Sequence, residues 1–152
     1  MKKIFTYALV ALATVAMLAC SKPADNEKEE ENKEPEKKEF NIADYEVNAA
    51  LAGAETWGLI GPAQAGGWDA DTDLTKVSED PEMWKAEIEL GAAEFKFRGN
   101  DEWKDYDLGG GTVVLGEPIL LSKGGGNMTL AEAGTYEVIL YPQHMVLILN
   151  KK

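Results

Sequence analysis

An all-β fold is predicted for residues 41–152, an immunoglobulin-like β-sandwich of about seven to eight strands. Three observations point to it. Apolar and polar residues alternate with period two in short runs, as over residues 83–90 and 94–98. Clusters of Gly, Pro, Asn and Asp return at roughly eight- to twelve-residue intervals, the spacing of turns between short strands. Little of the chain carries the period of about 3.6 that marks an amphipathic helix.

Upstream of that domain, residues 1–19 read as an export signal. Lys2 and Lys3 open it, and an apolar run ending in small residues follows. The run is shorter than the roughly 20 apolar residues of a membrane span. Met17-Leu18-Ala19-Cys20 resembles the lipobox of bacterial lipoproteins, with methionine where leucine is usual. The resemblance implies that Cys20 is diacylated, becomes the new N-terminus and is acylated again. Two or three acyl chains anchor stably where one does not. The alternative is an ordinary cleaved signal that contains a cysteine.

Residues 20–40 are expected to form a lipidated, disordered acidic tether. They are mostly Lys, Glu, Pro, Asn and Ala, with no aromatic residue before Phe40, so burial cannot offset their ordering entropy. The acidic cluster at residues 27–31 either resembles the signal that sends lipoproteins of Bacteroidetes-type bacteria to the outer face of the outer membrane or is a solvated spacer. Residues 41–54 are ambiguous. Ile42, Tyr45 and Leu51 suit a short helix, whereas Tyr45 and Val47 suit an edge strand.

From Glu55 the pattern is β. Residues 56–62 form a strand ended by Gly61-Pro62, residues 65–69 a glycine-hinged loop, and residues 73–77 a short strand. Residues 83–90 place Trp84, Ala86, Ile88 and Leu90 on one face and Lys85, Glu87 and Glu89 on the other. The next strand sends Phe95 and Phe97 inward and Lys96 and Arg98 outward, then turns through Gly99-Asn100-Asp101 to Trp103. Residues 108–126 are glycine-rich and irregular, with one apolar piece at 119–121. Residues 127–130 are a short strand. A closing hairpin joins 135–141 to 145–149 around Pro142-Gln143, and the apolar character of both faces of its second strand suggests an interior position.

Composition removes several classes of function. A formal net charge of −12 argues against nucleic acid and anionic lipid headgroups as partners, since both call for a basic surface. One cysteine and one histidine exclude an intrachain disulfide, a clustered His/Cys zinc site and a cysteine–histidine nucleophile. A serine triad would need His144 with Ser78 or Ser122, and no Gly-x-Ser-x-Gly elbow is present. Asp69-Ala70-Asp71-Thr72-Asp73 has the opening spacing of a calcium loop, but Leu74 stands where glycine is required and Asp80 where glutamate closes the loop. No metal or other cofactor is therefore expected. A separate reading is metal-assisted hydrolysis by Asp69, Asp71 and Asp73.

The four tryptophans divide by pattern. Trp57 and Trp84 fall in phase with apolar neighbours and read as core. Trp68, after two glycines, and Trp103, after a polar turn, read as exposed loop residues. Exposed indoles offer large rigid area at low entropic cost, and the C–H faces of sugar rings pack on them. Lys96, Arg98, Asn100 and Asn127 offer hydrogen-bonding groups for hydroxyls. The competing reading pairs Lys96 and Arg98 with Glu87 or Glu89 across a sheet.

Six pieces in order carry a family resemblance: Trp57-Gly58-Leu59-Ile60-Gly61, Gly66-Gly67-Trp68-Asp69, Asp71-Thr72-Asp73, Glu94-Phe95-Lys96-Phe97-Arg98, Gly126-Asn127 and Ala133-Gly134-Thr135-Tyr136. Together they resemble the C-terminal starch-binding modules of the SusE/SusF outer-membrane lipoproteins of Bacteroides-type bacteria. The resemblance implies non-catalytic binding of a starch-like α-glucan at the cell surface. Trp68 would stack on sugar, Trp103 would be a second aromatic, and Lys96 or Arg98 with Asn127 would bond glucose hydroxyls. It also implies an outer-membrane location and other glycan-uptake proteins as partners. The alternative is an accessory interaction protein of such an uptake complex, without glycan binding of its own.

Overall fold

The computed structural model describes residues 39–152. The export signal, Cys20 and nearly all of the tether lie outside the described residues. The strands, numbered in chain order, are β1 (Trp57–Gly61), β2 (Gly67–Asp73), β3 (Thr75–Glu79), β4 (Glu82–Leu90), β5 (Glu94–Gly99), β6 (Glu102–Gly109), β7 (Ile119–Leu120), β8 (Ser122–Lys123), β9 (Met128–Thr129), β10 (Gly134–Tyr141) and β11 (Val146–Lys151). They make two antiparallel sheets, and the fold is an all-β sandwich. The first runs β2-β1-β5-β6-β8, with β9 added to the start of β5; the second runs β3-β4-β10-β11-β7. Eight strands have five or more residues, and the other three have two each. Among the described residues no helix is long and apolar enough to cross a membrane.

Period-two alternation explains the core. Trp84, Ile88 and Leu90 of β4 are buried while Glu87 and Glu89 are exposed. Phe95 and Phe97 of β5 are fully buried and meet edge to face at 6.0 Å between ring centroids. They join Trp57 and Leu59 from their own sheet and Tyr136, Val138, Leu140, Leu147 and Leu149 from the other in one apolar cluster. Trp57 and Trp84 are thus core residues, as expected. The last strand, β11, lies between β10 and β7, the interior position expected for it.

Two segments depart from the pattern. Residues 41–54 form neither a regular helix nor a strand but two single 3-10 turns, Ile42–Asp44 and Ala49–Leu51. The side chains of Asn41 and Asn48 accept from the amides two residues on, at 3.1 Å each, a local bond that competes with longer regular structure. Leu51 then anchors this segment in the core.

The second departure bears on function. Residues 65–69 are not wholly a loop, because β2 begins at Gly67 and carries Trp68. The cause is the buried side chain of Gln64. Its Nε2 donates to the carbonyls of Gly67 at 3.0 Å and Ala70 at 2.6 Å. Its Oε1 accepts from the amide of Gly66 at 2.8 Å and the hydroxyl of Thr72 at 3.1 Å. All four bonding positions of the amide are used. They stitch an irregular turn into a hairpin whose register shifts between Leu59 and Gly61, a bulge that re-aims the side chains beyond it.

Candidate functional site

The outer face of the first sheet is built on β5. With Phe95 and Phe97 committed to the core, Lys96 and Arg98 point away from it, yet their side chains are only 11% exposed. Each is held by a carboxylate of its own sheet. Arg98 donates from Nε and Nη2 to both oxygens of Asp71 at 3.1 and 3.3 Å. Lys96 Nζ lies 2.7 and 3.0 Å from the two oxygens of Asp107 on β6. The pairing with Glu87 or Glu89 does not form, because β4 belongs to the other sheet.

The Arg98–Asp71 pair spans β1, since Asp71 is on β2 and Arg98 on β5. That crossing is two strand widths, roughly 10 Å, and it needs an open lane over the strand between. Gly58 provides the lane: it lies opposite Arg98 in the β1–β5 register. A Cβ at Gly58 would stand 2.7 Å from Asp71 Cγ and 2.9 Å from its Cβ.

Trp103 covers the two cations. Its ring centre lies 5.7 Å from Lys96 Nζ and 5.3 Å from Arg98 Cζ, within the range of a cation–π contact. Trp68 lies beside it, with ring centroids 6.2 Å apart and planes tilted by 51°. The two indoles remain 40% and 44% exposed. Ile60, opposite Lys96 in register, shares this face and is fully buried although it is not part of the core cluster. The face therefore carries a second packed layer, with Ile60 and the ion pairs below and the indoles above.

The β5–β6 hairpin fixes where Trp103 emerges. Gly99 pairs with Glu102, and Asn100 and Asp101 between them have φ of 54° and 55°, the pattern of a two-residue type I′ turn. Asn100 is pinned further, its Oδ1 accepting from the amides of Glu55 at 2.7 Å and Thr56 at 3.2 Å. Trp103 is thus a strand residue one step past a rigid turn. Both indoles expected on loops are carried by strands.

Asp101, brought in by the same turn, joins Asp71 and Asp73. Their carboxylate oxygens lie within 4.8 Å of one another. Of the aspartates singled out from sequence, Asp69 is not in this group, and Asp101 takes its place. Burial raises the Asp71 carboxyl, but hydrogen bonds from Arg98 and then Asp101 outweigh it and leave the group below its ordinary value. Asp101 is held above its ordinary value by its hydrogen bond with Asp71 and then by that neighbour's negative charge.

Four of the five residues singled out from sequence, Trp68, Lys96, Arg98 and Trp103, therefore converge on one surface. Asn127 is not in contact with them; its Nδ2 donates to Glu94 at the start of β5 at 3.3 Å. The alternation pattern does not reveal Asp71, Asp107, Gly58 or Gln64. Concave pockets occur elsewhere, such as one of about 180 Å³ lined by Val113, Leu130 and Tyr136. No protein-family model matches the chain, and no curated protein matches it.

Proposed function

We propose that this chain is a non-catalytic glycan-binding module that takes a starch-like α-glucan on the Trp68–Trp103 surface. One observation carries the reading: two half-exposed indoles lie side by side at 6.2 Å, Trp103 over the ion-paired cations and both carried by strands instead of by mobile loops. A preorganised aromatic surface gives up little entropy when a sugar ring settles on it. The 51° tilt makes the surface curved, which suits a chain that itself curves, as an α-1,4-glucan does. Lys96 and Arg98 act mainly beneath Trp103, with the rim carboxylates nearest to glucose hydroxyls. The proposed setting is the cell surface, on the outer membrane, with a lipid anchor at Cys20.

Affinity electrophoresis in gels containing amylose or pullulan tests the reading. Retarded migration that is lost in both Trp68→Ala and Trp103→Ala is the expected result. Unchanged migration of the wild-type chain in every glucan would overturn it.

A second reading, an accessory component of a glycan-uptake complex, is favoured by a different observation. Edge strand β7 leaves Leu120 61% exposed, and an exposed apolar edge is a place for a partner to pair. Co-purification of outer-membrane uptake proteins that is lost in Leu120→Lys but kept in Trp68→Ala is its expected signature.

A further inference from the structure

The charge around the indole pair is unbalanced, and this bears on which saccharide the surface accepts. Both cations of the face are already committed. Lys96 is engaged by Asp107 and Arg98 by Asp71, and the Trp103 ring lies over both. Neither is placed to receive a carboxylate or sulfate of a ligand without surrendering its partner. The negative groups, by contrast, exceed what these cations offset. Asp73 and Asp101 crowd against Asp71, and Asp101 reaches Arg98 Nη2 only at 3.9 Å with its side chain 71% exposed. Arg98 Cζ lies 5.3 Å from the centre of the Trp103 ring, so Asp101, which the same guanidinium reaches, stands beside the indole surface with Asp73 behind it.

Resting on the glycan-binding reading above, we infer that the Trp68–Trp103 surface favours saccharides whose rings carry a protonated amine, such as glucosamine units, over neutral rings, and that it rejects uronates. A sugar ring laid with its C–H face on an indole carries its substituents at the ring edge. An ammonium there meets Asp101, which shares Arg98 with Asp71 at the longer distance of 3.9 Å, and Asp73, which crowds the same pair. The ammonium also gains from the negative face of the indole. A uronate in the same pose meets the same carboxylates and is repelled.

Calorimetric titration of the full chain in detergent solution decides this, with three hexasaccharides as probes: a glucosamine hexamer, its N-acetylated counterpart and maltohexaose. Just below neutral pH and at low salt, the aminated hexamer is expected to bind about five- to tenfold more tightly than its acetylated counterpart, the scale of one or two exposed ion pairs. Raising the salt to physiological strength should shrink that advantage by about half, because exposed charges are screened. Asp101→Asn and Asp73→Asn should each reduce the advantage and leave the acetylated hexamer unaffected; asparagine suits the turn at position 101, so the fold is kept. Equal affinity for the aminated and acetylated hexamers overturns the charge preference while leaving the aromatic surface intact as a glycan site. Aminated binding that persists in Trp103→Ala also overturns it, since the carboxylates would then be holding a polycation without the indoles. Failure of all three probes removes both this inference and the reading it rests on.

Discussion

The two faces of the first sheet are made by the same strands under opposite demands, and they differ in kind. On the inner face Phe95 and Phe97 meet Trp57, Leu59 and Leu108 in a layer with no charge. On the outer face of β5 the alternate residues, Lys96 and Arg98, are nearly as hidden, but each is hidden together with an acid and beneath an indole. The inner layer is non-directional and tolerant of exchange among apolar side chains of similar volume. The outer one depends on named partners at fixed register. The comparison separates what holds the domain together from what shapes its surface, and it can be attacked from either side.

The largest effect is expected on the inner side. Phe97→Ala removes a fully buried ring and should cost about 3–5 kcal/mol of stability, the usual cost of such a cavity. Chemical denaturation followed by tryptophan fluorescence measures it. A cost below about 1 kcal/mol would mean that the inner face collapses around the gap, and the contrast between the layers would weaken.

Trp68→Ala comes next, and its loss should fall on binding instead of on stability. Glucan affinity should drop at least about tenfold, near 1.4 kcal/mol, while the unfolding midpoint barely moves because the ring is 40% exposed. A large loss of stability with unchanged affinity would reverse the assignment and make Trp68 a packing residue.

These two positions also show how much the sequence reveals. Period-two alternation is enough to place Phe95, Phe97, Trp84 and Ile88 inside, because one strand's own pattern decides which of its faces is buried. It likewise yields a sandwich and the tight turn at Asn100-Asp101. The outer layer is legible only in half. Lys96, Arg98 and the two indoles stand out by residue type, but their partners do not. Asp71 lies 27 residues from Arg98 in sequence and two strands away in space. Its place is set by the β1–β2 register, which Gln64 shifts through bonds that no periodicity encodes. Trp68 is misread as a loop residue for the same reason, since the glycines around it signal a turn and the bulge returns the chain to the sheet. Gly58 reads as a weak point in a strand, and its purpose is visible only once Asp71 is seen beside it.

Gly58→Ala tests that purpose at intermediate size. Ala lowers the entropy of the unfolded chain, a gain of about 0.4–1 kcal/mol where the native backbone accepts it. Here the new methyl meets Asp71 Cγ and Cβ at 2.7 and 2.9 Å, and such overpacking costs about 1–3 kcal/mol. The steric cost should win, giving a net loss near 1 kcal/mol together with weakened glucan binding as the Arg98 support beneath Trp103 shifts. A stabilised variant with full affinity would show that the Arg98–Asp71 bridge can take another path.

The smallest effect is electrostatic and fades as pH falls, which makes it the sharpest test of the acidic border. Asp71 has a lowered folded pKa: burial, the largest single influence, raises it, and the hydrogen bonds from Arg98 and Asp101 together with the Arg98 charge outweigh that. Its contribution to stability is therefore present above the ordinary carboxylate value and is lost as pH falls through the lower folded value. Asp101 is raised by its bond to Asp71 and by that neighbour's charge, so the folded state takes up its proton first. As pH falls from neutral through the Asp101 folded value towards the ordinary one, this residue alone makes the fold more stable, by less than about 0.5 kcal/mol for so exposed a group. Asp101→Asn should remove that arm. The variant should be slightly more stable than wild type at neutral pH, where one of the crowded charges is gone, and the two should converge in mild acid. Paired thermal melts across that range measure the difference. A variant less stable than wild type at neutral pH would mean that Asp101 is held by Arg98 more strongly than it is repelled by Asp71, and the border of the indole surface would no longer carry a surplus of negative charge.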